Sequence, residues 1–141
     1  MIKVEEAQKK ILEEVKTCKI EKVKIIDSLG YVLAEDIYSP FDIPDFDNSA
    51  MDGFAIKSED TKFANLDNPA ILKIVADLPA GEIFRRSLRK KEAVKIMTGA
   101  ILPKGADAVV KVEDVKIEND KVIIFNFVKK FENVRFRGED L

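Results

Sequence analysis

From Ala70 to Phe125 the chain alternates short apolar runs with turn residues, and this pattern constrains the fold more than any other feature of the sequence. The apolar runs are ILKIV, AVKIM, AVVKV, VKI and VIIF, and the turns among them include PAG, PKG and END. β-Branched runs separated by proline, glycine and asparagine are typical of short strands joined by tight turns. The pattern therefore predicts a small β-barrel or sandwich.

The N-terminal segment follows a helical period instead. Its apolar residues that share one helical face are Val4, Ala7, Ile11, Leu12 and Val15. They predict an amphipathic helix from about Lys3 to Thr17, whose apolar face needs a partner in the fold or on another subunit. After it we expect a short strand over residues 23–25 and either a helix cap or a turn at Asp27–Ser28, while residues 31–37 are compatible with either helix or strand.

The segment FDIPDFDNSAMD, residues 41–52, is too polar and too broken for a regular element. We expect an ordered loop held in place by its apolar side chains, followed by a strand over residues 53–56. Ser58 is then expected to cap the turn SEDT.

Composition excludes several classes of protein. The chain has 24 Lys and Arg against 26 Asp and Glu, so its net charge of -2 gives no general attraction to nucleic acid or to anionic membranes. No apolar run approaches the ~20 residues that span a bilayer, and the N-terminus lacks the apolar core of a signal peptide. A cytoplasmic protein is therefore expected.

The chain contains one cysteine and no histidine. Disulfides within the chain, cysteine-based zinc sites and histidine-dependent nucleophiles are thus excluded. Any chemistry must use carboxylates, hydroxyls, Lys, Arg and backbone groups, and this set of groups suits a hard cation such as Mg²⁺.

Clustered carboxylates in the loop form the first candidate site. They are Asp42, Asp45, Asp47 and Asp52, with Asn48 and Ser49 between them. Such a cluster could bind Mg²⁺ or orient a water molecule, but Asp and Asn also serve plain turns and caps. The Asp52–Gly53 pair stands out, because the glycine permits a backbone shape that would leave Asp52 exposed at the entrance of a strand.

A second candidate is the strand end at Thr98–Gly99. Backbone N–H groups at such an end can meet an oxyanion with the help of the Thr98 hydroxyl, although an ordinary strand end has the same pattern.

A third candidate is the tail NVRFRGEDL. Arg135 and Arg137 alternate with apolar residues, so both could project from one face of a strand and grip a phosphate or carboxylate. An adjacent acid could then ligate a metal bound to that phosphate. The alternative is an internal pair of arginine and carboxylate that fixes the chain at its exit.

The three segments FDIPDFDNSAMDGFAI, VKIMTGAILPKGADAVVKVED and NVRFRGEDL together resemble the signatures of MoeA-type molybdopterin molybdenumtransferases, a family that includes the E domain of gephyrin. They occur in the family's order, and the resemblance covers nearly the whole chain. It implies insertion of molybdenum from molybdate into adenylated molybdopterin, with Mg²⁺-dependent release of AMP.

The resemblance also implies roles for individual residues. Asp52, Thr98 and Asp140 correspond to residues that matter for activity, and Asp52 and Asp140 are expected near the metal. The residues expected to contact the cofactor are Ser49, Gly99, Arg135 and Arg137. Phe136 stands where a further arginine is common in the family, which suggests a weaker third anion site.

The implied fold class is mixed α+β, with an extended dimer-forming α/β region and an inserted small, mainly β, barrel-like domain. We assign residues 1–45 and 130–141 to the extended region and residues 46–129 to the inserted domain. Full-length members of the family also contain an α/β domain that binds molybdopterin and a C-terminal β domain. Because the chain stops after a Gly-Glu-Asp turn, we expect it to be cut from a longer protein, without those two domains.

The expected partners are a second copy of the chain and a molybdopterin adenylyltransferase of the MogA type, with neither nucleic acid nor membrane. The isolated chain is expected to have little activity. One alternative is a non-catalytic dimerisation module for assembling cofactor-synthesis proteins, and another is a generic small β-barrel binder that carries the motifs by chance.

Overall fold

The computed structural model describes residues 2–16 and 18–141, and it divides the chain into two compact units, residues 1–38 and 39–141. Each unit is described by itself. Over the described residues, no helix combines the length and the apolar character that crossing a membrane requires.

The first unit contains the predicted helix, α1, over Val4–Glu14. Glu5 and Glu6 in its first turn interact favourably with the positive end of the helix dipole. The predicted end at Thr17 lies outside the described residues. None of the residues of α1 is buried, and the side chain of Leu12 remains 63% exposed.

The strand predicted over residues 23–25 is absent. A 3₁₀ turn at Ile25–Asp27 takes its place, and the turn at Ser28 is present, with the Ser28 hydroxyl donating to the Ile25 carbonyl oxygen at 2.7 Å. Residues 31–37 form neither helix nor strand. An isolated strand leaves its backbone groups unpaired, and no described segment of this unit pairs with residues 23–25.

The second unit is mainly β. Its strands are β1 Asn48–Ser49, β2 Gly53–Ile56, β3 Ala70–Leu78, β4 Glu92–Ile96, β5 Ala108–Lys111, β6 Val115–Glu118, β7 Lys121–Ile124 and β8 Val134–Arg135. Six of them form one sheet in the order β5-β2-β4-β3-β7-β6, in which β3 and β4 are parallel and the other pairs antiparallel. β1 and β8 pair separately.

The sheet is curled into a half-barrel. Its two edge strands, β5 and β6, are joined by the three residues Val112–Asp114, which can span at most about 14 Å. The mainly β domain expected from the sequence is therefore confirmed. A sandwich or a fully closed barrel is not, because β5 and β6 remain edges. The dimer-forming α/β character of the flanking region stays a prediction.

β2 is buried on both faces, so apolar side chains alternate between two core clusters on either side of the sheet. The buried members of the first cluster are Phe54, Ile56, Leu72, Ala93, Ala108, Val110, Val122, Ile124 and Val128. Those of the second cluster are Ala55, Leu78, Leu88, Val94, Ile96, Ala100 and Val109. This double burial explains why GFAI reads as a continuous apolar run.

The loop over residues 41–52 is ordered. Of its apolar side chains, Phe41 is 64% exposed, whereas Phe46 and Met51 are half-buried. Backbone hydrogen bonds to the C-terminal tail also hold the loop, with the Ile43 N–H donating to the Leu141 carbonyl and the Asp140 N–H donating to the Ile43 carbonyl.

Ser58 does not cap the turn at Ser58–Thr61. The capping group is Asp107, which directly precedes the neighbouring strand β5. Its carboxylate accepts the Ser58 N–H at 2.6 Å and the Ser58 hydroxyl at 3.0 Å. The aspartate of the GAD segment therefore has a structural role. A carboxylate separated from the turn by 49 residues leaves no local signal in the sequence.

Gly53 allows β2 and β5 to approach each other. A Cβ atom at this position would overlap the Val110 carbonyl oxygen and lie 2.9 Å from the Val110 carbonyl carbon, which is closer than real Cβ atoms come to backbone. It would also lie 3.1 Å from the Lys111 Cα, a tight contact. We expect Gly53→Ala to lower the free energy of unfolding by about 3 kcal/mol, the upper end of the overpacking range, because a backbone cannot rotate away as a side chain can.

Chemical denaturation followed by circular dichroism measures this effect. The matched control is Gly81→Ala, at a turn position with φ of 87° where an added Cβ meets nothing within 4 Å. That variant should lose about 1 kcal/mol from backbone strain alone. Equal midpoints for the two variants would contradict the close approach of β2 and β5.

Candidate functional site

Asp52 and Thr98 lie at the same end of the sheet. Asp52 precedes β2 and Thr98 follows β4, and these antiparallel strands place Gly53 opposite Ile96. Two segments 46 residues apart in the chain are thereby brought into contact.

Thr98 holds one oxygen of the Asp52 carboxylate with two hydrogen bonds. Its backbone N–H donates to Oδ1 at 2.7 Å, and its hydroxyl donates to the same atom at 2.8 Å. Within the described chain no hydrogen bond reaches Oδ2, and Asp52 is exposed. The carboxylate is thus oriented by one oxygen and open to a ligand at the other.

These bonds lower the pKa of Asp52. The Thr98 N–H makes the largest contribution and the Thr98 hydroxyl the next, while desolvation opposes both. Each bond favours the charged form of the carboxyl group. Asp52 is therefore ionised at neutral pH and available to a cation.

Ser49 and Gly99 connect the loop to the turn that carries Thr98. The Gly99 N–H donates to the Ser49 carbonyl at 2.8 Å, and the Ser49 N–H donates to the Ala100 carbonyl at 3.0 Å. The Ser49 hydroxyl is buried and donates to the Met51 carbonyl. Ser49 thus shapes the loop from within, and its contact with a cofactor stays a prediction.

The strand end after β4 does not offer free backbone N–H groups to an oxyanion. The N–H groups of Thr98, Gly99 and Ala100 donate to the Asp52 carboxylate, the Ser49 carbonyl and the Met97 carbonyl, respectively. Any anion contact at this end must therefore use a side chain or rearrange these bonds.

Arg135 and Arg137 are paired with carboxylates of the chain. Arg135 Nη2 lies 2.7 Å from Asp140 Oδ1 and 2.6 Å from Oδ2, and Arg137 Nε donates to Asp42 Oδ2 at 2.6 Å. The structure therefore shows the internal pairs that the sequence left as the alternative. β8 ends at Arg135, so the two arginines do not project from one strand as expected.

Asn133 is a positioning residue that the sequence analysis missed. Its carbonyl accepts the Ala50 N–H at 2.9 Å, and its side-chain amide donates to the Val109 carbonyl at 2.8 Å, so it ties the loop to β5. The asparagine itself is the signal in the sequence, since asparagine tolerates the φ of 54° found here better than most residues do.

β1 connects the two candidate groups. Ser49 pairs with Val134 of β8 on one side and with the Gly99–Ala100 turn on the other. Two strand spacings separate the backbones of β8 and this turn by about 10 Å. Asp52 with Thr98, and Arg135 with Asp140, therefore flank a single short strand.

The side chains present suit a cation that is shared with a ligand. Over residues 2–16 and 18–141, no group of three or more His, Cys, Asp or Glu residues is placed to hold a metal by itself. Mg²⁺ commonly takes one or two protein carboxylates together with phosphate oxygens and water, and the open Oδ2 of Asp52 fits that donor set. Both oxygens of Asp140 contact Arg135 Nη2, so the negative charge of Asp140 is already paired with a cationic side chain.

The sequence-family model of the MoeA N-terminal region, which comprises domains I and II, matches residues 2–141. This chain belongs to that family. The resemblance read from the three sequence motifs is therefore confirmed.

Curated relatives in the family cover the chain from end to end. A molybdopterin molybdenumtransferase from Staphylococcus epidermidis is 38% identical over 140 residues, which is 99% of this chain and 33% of that protein. Molybdopterin molybdenumtransferase 2 from Mycobacterium tuberculosis is 38% identical over 141 residues, covering 100% of this chain and 35% of that protein. The chain thus spans about a third of the length of these relatives.

Solved structures show the same fold. A crystal structure of the molybdopterin biosynthesis moeA protein from Pyrococcus horikoshii OT3 aligns with a TM-score of 0.79 at 44% identity, covering 86% of this chain and 32% of that one. A crystal structure of a molybdopterin biosynthesis moea protein from Pyrococcus horikosii aligns with a TM-score of 0.75 at 38% identity, covering 99% of this chain and 36% of that one.

We expect Thr98→Val to raise the pKa of Asp52 toward its ordinary value of 3.8 without reaching it, because the larger contribution comes from the backbone N–H, which remains. Carboxyl ¹³C chemical shifts followed by NMR during an acid titration measure the change. Thr98→Ser keeps the hydroxyl and is the matched control. An unchanged pKa in Thr98→Val would show that the hydroxyl does not bind Asp52 in solution.

The lowered pKa also sets the sign of a pH effect on stability. Because the pKa of Asp52 is lower in the folded chain than in the unfolded chain, its stabilising contribution is complete above about 3.8 and is lost as the pH falls through the folded-state value. In Asp52→Asn, the free energy of unfolding should therefore depend less steeply on pH below about 4. Identical pH profiles for the variant and the parent would contradict this linkage.

Proposed function

We propose that this chain is the N-terminal part of a molybdopterin molybdenumtransferase, which inserts molybdenum from molybdate into adenylated molybdopterin with Mg²⁺-dependent release of AMP. Membership of the MoeA N-terminal family and the names of the relatives support the reaction class. The observation that carries the proposal is the Asp52 carboxylate, which Thr98 orients by one oxygen and leaves open at the other.

Asp52 would hold the cation, and Thr98 would keep the carboxylate ionised and correctly turned. The lowered pKa of Asp52 keeps the carboxylate charged to a more acidic pH than an ordinary aspartate. A bound Mg²⁺ supplies neutralising charge to the phosphate oxygens of the substrate. Arg135 and Arg137, which lie across β1 from this contact, are the proposed contacts to the anionic groups of the substrate.

The remaining parts of the site would come from the rest of a longer protein and from a second copy of the chain. The first unit exposes several large apolar side chains, including those of Ile11, Leu12 and Val15 at 63–64%. Apolar residues grouped on one helical face usually meet a partner. We propose a cytoplasmic homodimer that receives adenylated molybdopterin from a molybdopterin adenylyltransferase of the MogA type.

In the full-length protein, Asp52→Asn should lower the rate of metal insertion by about 100-fold or more, the range typical for the loss of an electrostatic group at a reacting centre. The assay supplies adenylated molybdopterin, molybdate and Mg²⁺, and follows the release of AMP. The control is Asp77→Asn, which removes another exposed aspartate of the same sheet, one that is paired with Lys95. Comparable turnover in the two variants would contradict a role for Asp52 in the reaction.

The chain of 141 residues alone should show little turnover under the same conditions, because it spans about a third of its relatives. Robust release of AMP by the chain alone would refute the proposal that its site is completed by other parts.

Leu12→Lys should weaken association of the chain by about tenfold or more, because it places a charge in the proposed apolar contact. Sedimentation equilibrium measures the dissociation constant. Glu13→Lys, which changes a neighbouring charged position of α1, is the matched control. If both variants associate as the parent does, α1 is not part of the interface.

The exposed apolar surface of the first unit also favours a second candidate function, a dimerisation module that assembles cofactor-synthesis proteins without taking part in the chemistry. The two functions differ at Asp52. If Asp52→Asn changes association and leaves metal insertion intact, the assembly module is the better description.

A further inference from the structure

Ser49 is completely buried, although it lies three residues before the exposed Asp52. Its hydroxyl donates to the Met51 carbonyl and accepts the Met51 N–H at 3.3 Å. A serine hydroxyl has a single proton, and here the Met51 carbonyl receives it. The hydroxyl therefore has no proton left for a ligand while the loop keeps this shape.

The Ser49 hydroxyl fixes the peptide group that precedes Asp52, because the Met51 carbonyl belongs to that group. On the other side of Asp52, its own carbonyl accepts the Val112 N–H at 3.1 Å. Peptide groups are planar, so the two groups that flank a Cα atom together determine where its side chain points. These two hydrogen bonds thus set the direction in which the Asp52 carboxylate leaves the backbone.

The backbone of Ser49 holds the other half of the contact, the turn that carries Thr98. The Ser49 carbonyl accepts the Gly99 N–H at 2.8 Å, and the Ser49 N–H donates to the Ala100 carbonyl at 3.0 Å. Thr98 donates twice to the Asp52 carboxylate, at 2.7 and 2.8 Å. The contacts therefore run in a closed path from Asp52 through Thr98 and Gly99 to Ser49, and the Ser49 hydroxyl completes the path on the side of the loop.

We propose that Ser49 is a positioning residue for metal insertion, whose hydroxyl turns the Asp52 carboxylate toward Thr98 and leaves its second oxygen open to the cation. Ser49 acts through Asp52 and does not touch the substrate. The inference rests on the proposed function, because it concerns how the cation ligand of that reaction is held. It replaces the direct contact with the cofactor that the family resemblance implies for this serine.

The loop has other attachments, so the hydroxyl can be removed without releasing it. The Ala50 N–H donates to the Asn133 carbonyl at 2.9 Å, and this bond between backbone groups remains in Ser49→Ala. The backbone bonds from residue 49 to the following turn remain as well. The variant should lose only the fixed direction of the peptide before Asp52, because a methyl group gives the Met51 carbonyl no partner.

The first test follows the Thr98 amide proton by NMR in the isotope-labelled chain. A short hydrogen bond to a charged oxygen is a strong one, and its loss in Asp52→Ala gives the reference shift of an unbonded Thr98 amide. In Ser49→Ala, the shift should move toward this reference. The ratio of bonded to unbonded forms should fall about fivefold, the factor that one neutral hydrogen bond typically contributes. An unchanged Thr98 shift in a folded Ser49→Ala chain would overturn the proposal.

Ser58→Ala is the matched control, because Ser58 is also a buried serine whose hydroxyl is hydrogen-bonded, in this case to Asp107 at 3.0 Å. Ser58 follows β2, whereas Asp52 precedes it, so the two residues lie at opposite ends of the strand. The control should leave the Thr98 amide shift unchanged, whatever its effect on the midpoint of chemical denaturation. Equal movement of this shift in the two variants would indicate general loosening of the fold and would contradict a specific role for Ser49.

Kinetics of the full-length protein separate positioning from contact with the substrate. In Ser49→Ala, the Mg²⁺ concentration that gives half-maximal release of AMP should rise about fivefold, because the cation ligand is less often correctly turned. The KM for adenylated molybdopterin should stay unchanged. A rise in that KM with an unchanged requirement for Mg²⁺ would show that Ser49 contacts the substrate, and it would refute the positioning role.

Ser49→Cys takes the place of the alanine variant if the latter does not fold. A thiol nearly fills the space of the hydroxyl, and it is only a weak donor and acceptor of hydrogen bonds. The Thr98 amide shift should again move toward that of Asp52→Ala. Its absence in a folded Ser49→Cys chain would count against the proposal in the same way.

Failure of this inference is distinguishable from failure of the proposed function, because the NMR test measures no turnover. If Asp52→Asn abolishes metal insertion but Ser49→Ala leaves the Thr98 amide bonded, the reaction assignment stands and the role of Ser49 fails. If Ser49→Ala frees the Thr98 amide but Asp52→Asn remains active, the contact is real and the role of Asp52 in the reaction fails.

Discussion

The pairing of β2 with β4 decides whether this chain has a site at all. Gly53 lies opposite Ile96, and this register brings Asp52 against the Thr98 N–H and hydroxyl. Both faces of β2 are apolar, so side-chain size holds the register: a slip by one residue would turn Phe54 and Ile56 into the cluster that now receives Ala55. Gly53 adds to this constraint because it alone lets β2 lie as close to β5 as it does.

β1 extends this constraint to the C-terminal tail. With two residues it is too short to be stable by itself, yet its neighbours on both sides are parts of the site: the Gly99–Ala100 turn and β8. Asn133 reinforces the arrangement by joining the loop to β5. The polar side chains of the loop over residues 41–52 therefore also serve its structure, since Asp42 and Asp47 accept hydrogen bonds from Arg137 and the Ser49 hydroxyl donates to the Met51 carbonyl.

The two aspartates of the site differ in their charge environment: within the described chain Asp52 has no cationic partner, whereas Asp140 is paired with Arg135. Thr98 contributes neutral donors to Asp52, which lowers its pKa and leaves its negative charge uncompensated. Arg135 contributes a full positive charge to Asp140 and contacts both of its oxygens through Nη2. The two aspartates, which look alike in the sequence, therefore differ in what they can bind before a ligand arrives. Their environments, and not their chemical identity, make this difference.

The sequence by itself determined the mainly β character of the second unit, the helix α1, most of the turns and the family, because these rest on local periodicity, on turn residues and on long motifs. It also singled out Asp52, Thr98, Arg135 and Asp140 as candidates. Only the tertiary structure decided that Thr98 binds Asp52 and that Asp107 caps the turn at Ser58. It also decided that Arg135 pairs with Asp140 and that no strand forms at residues 23–25. The contacts of Asp52 and Asp107 join residues 46 and 49 positions apart, and such hydrogen bonds leave no periodic trace in the sequence. Arg135 and Asp140 are five residues apart, but only the path of the turn between them decides whether their side chains meet. The strand at residues 23–25 is absent because it has no partner among the residues that the structure describes.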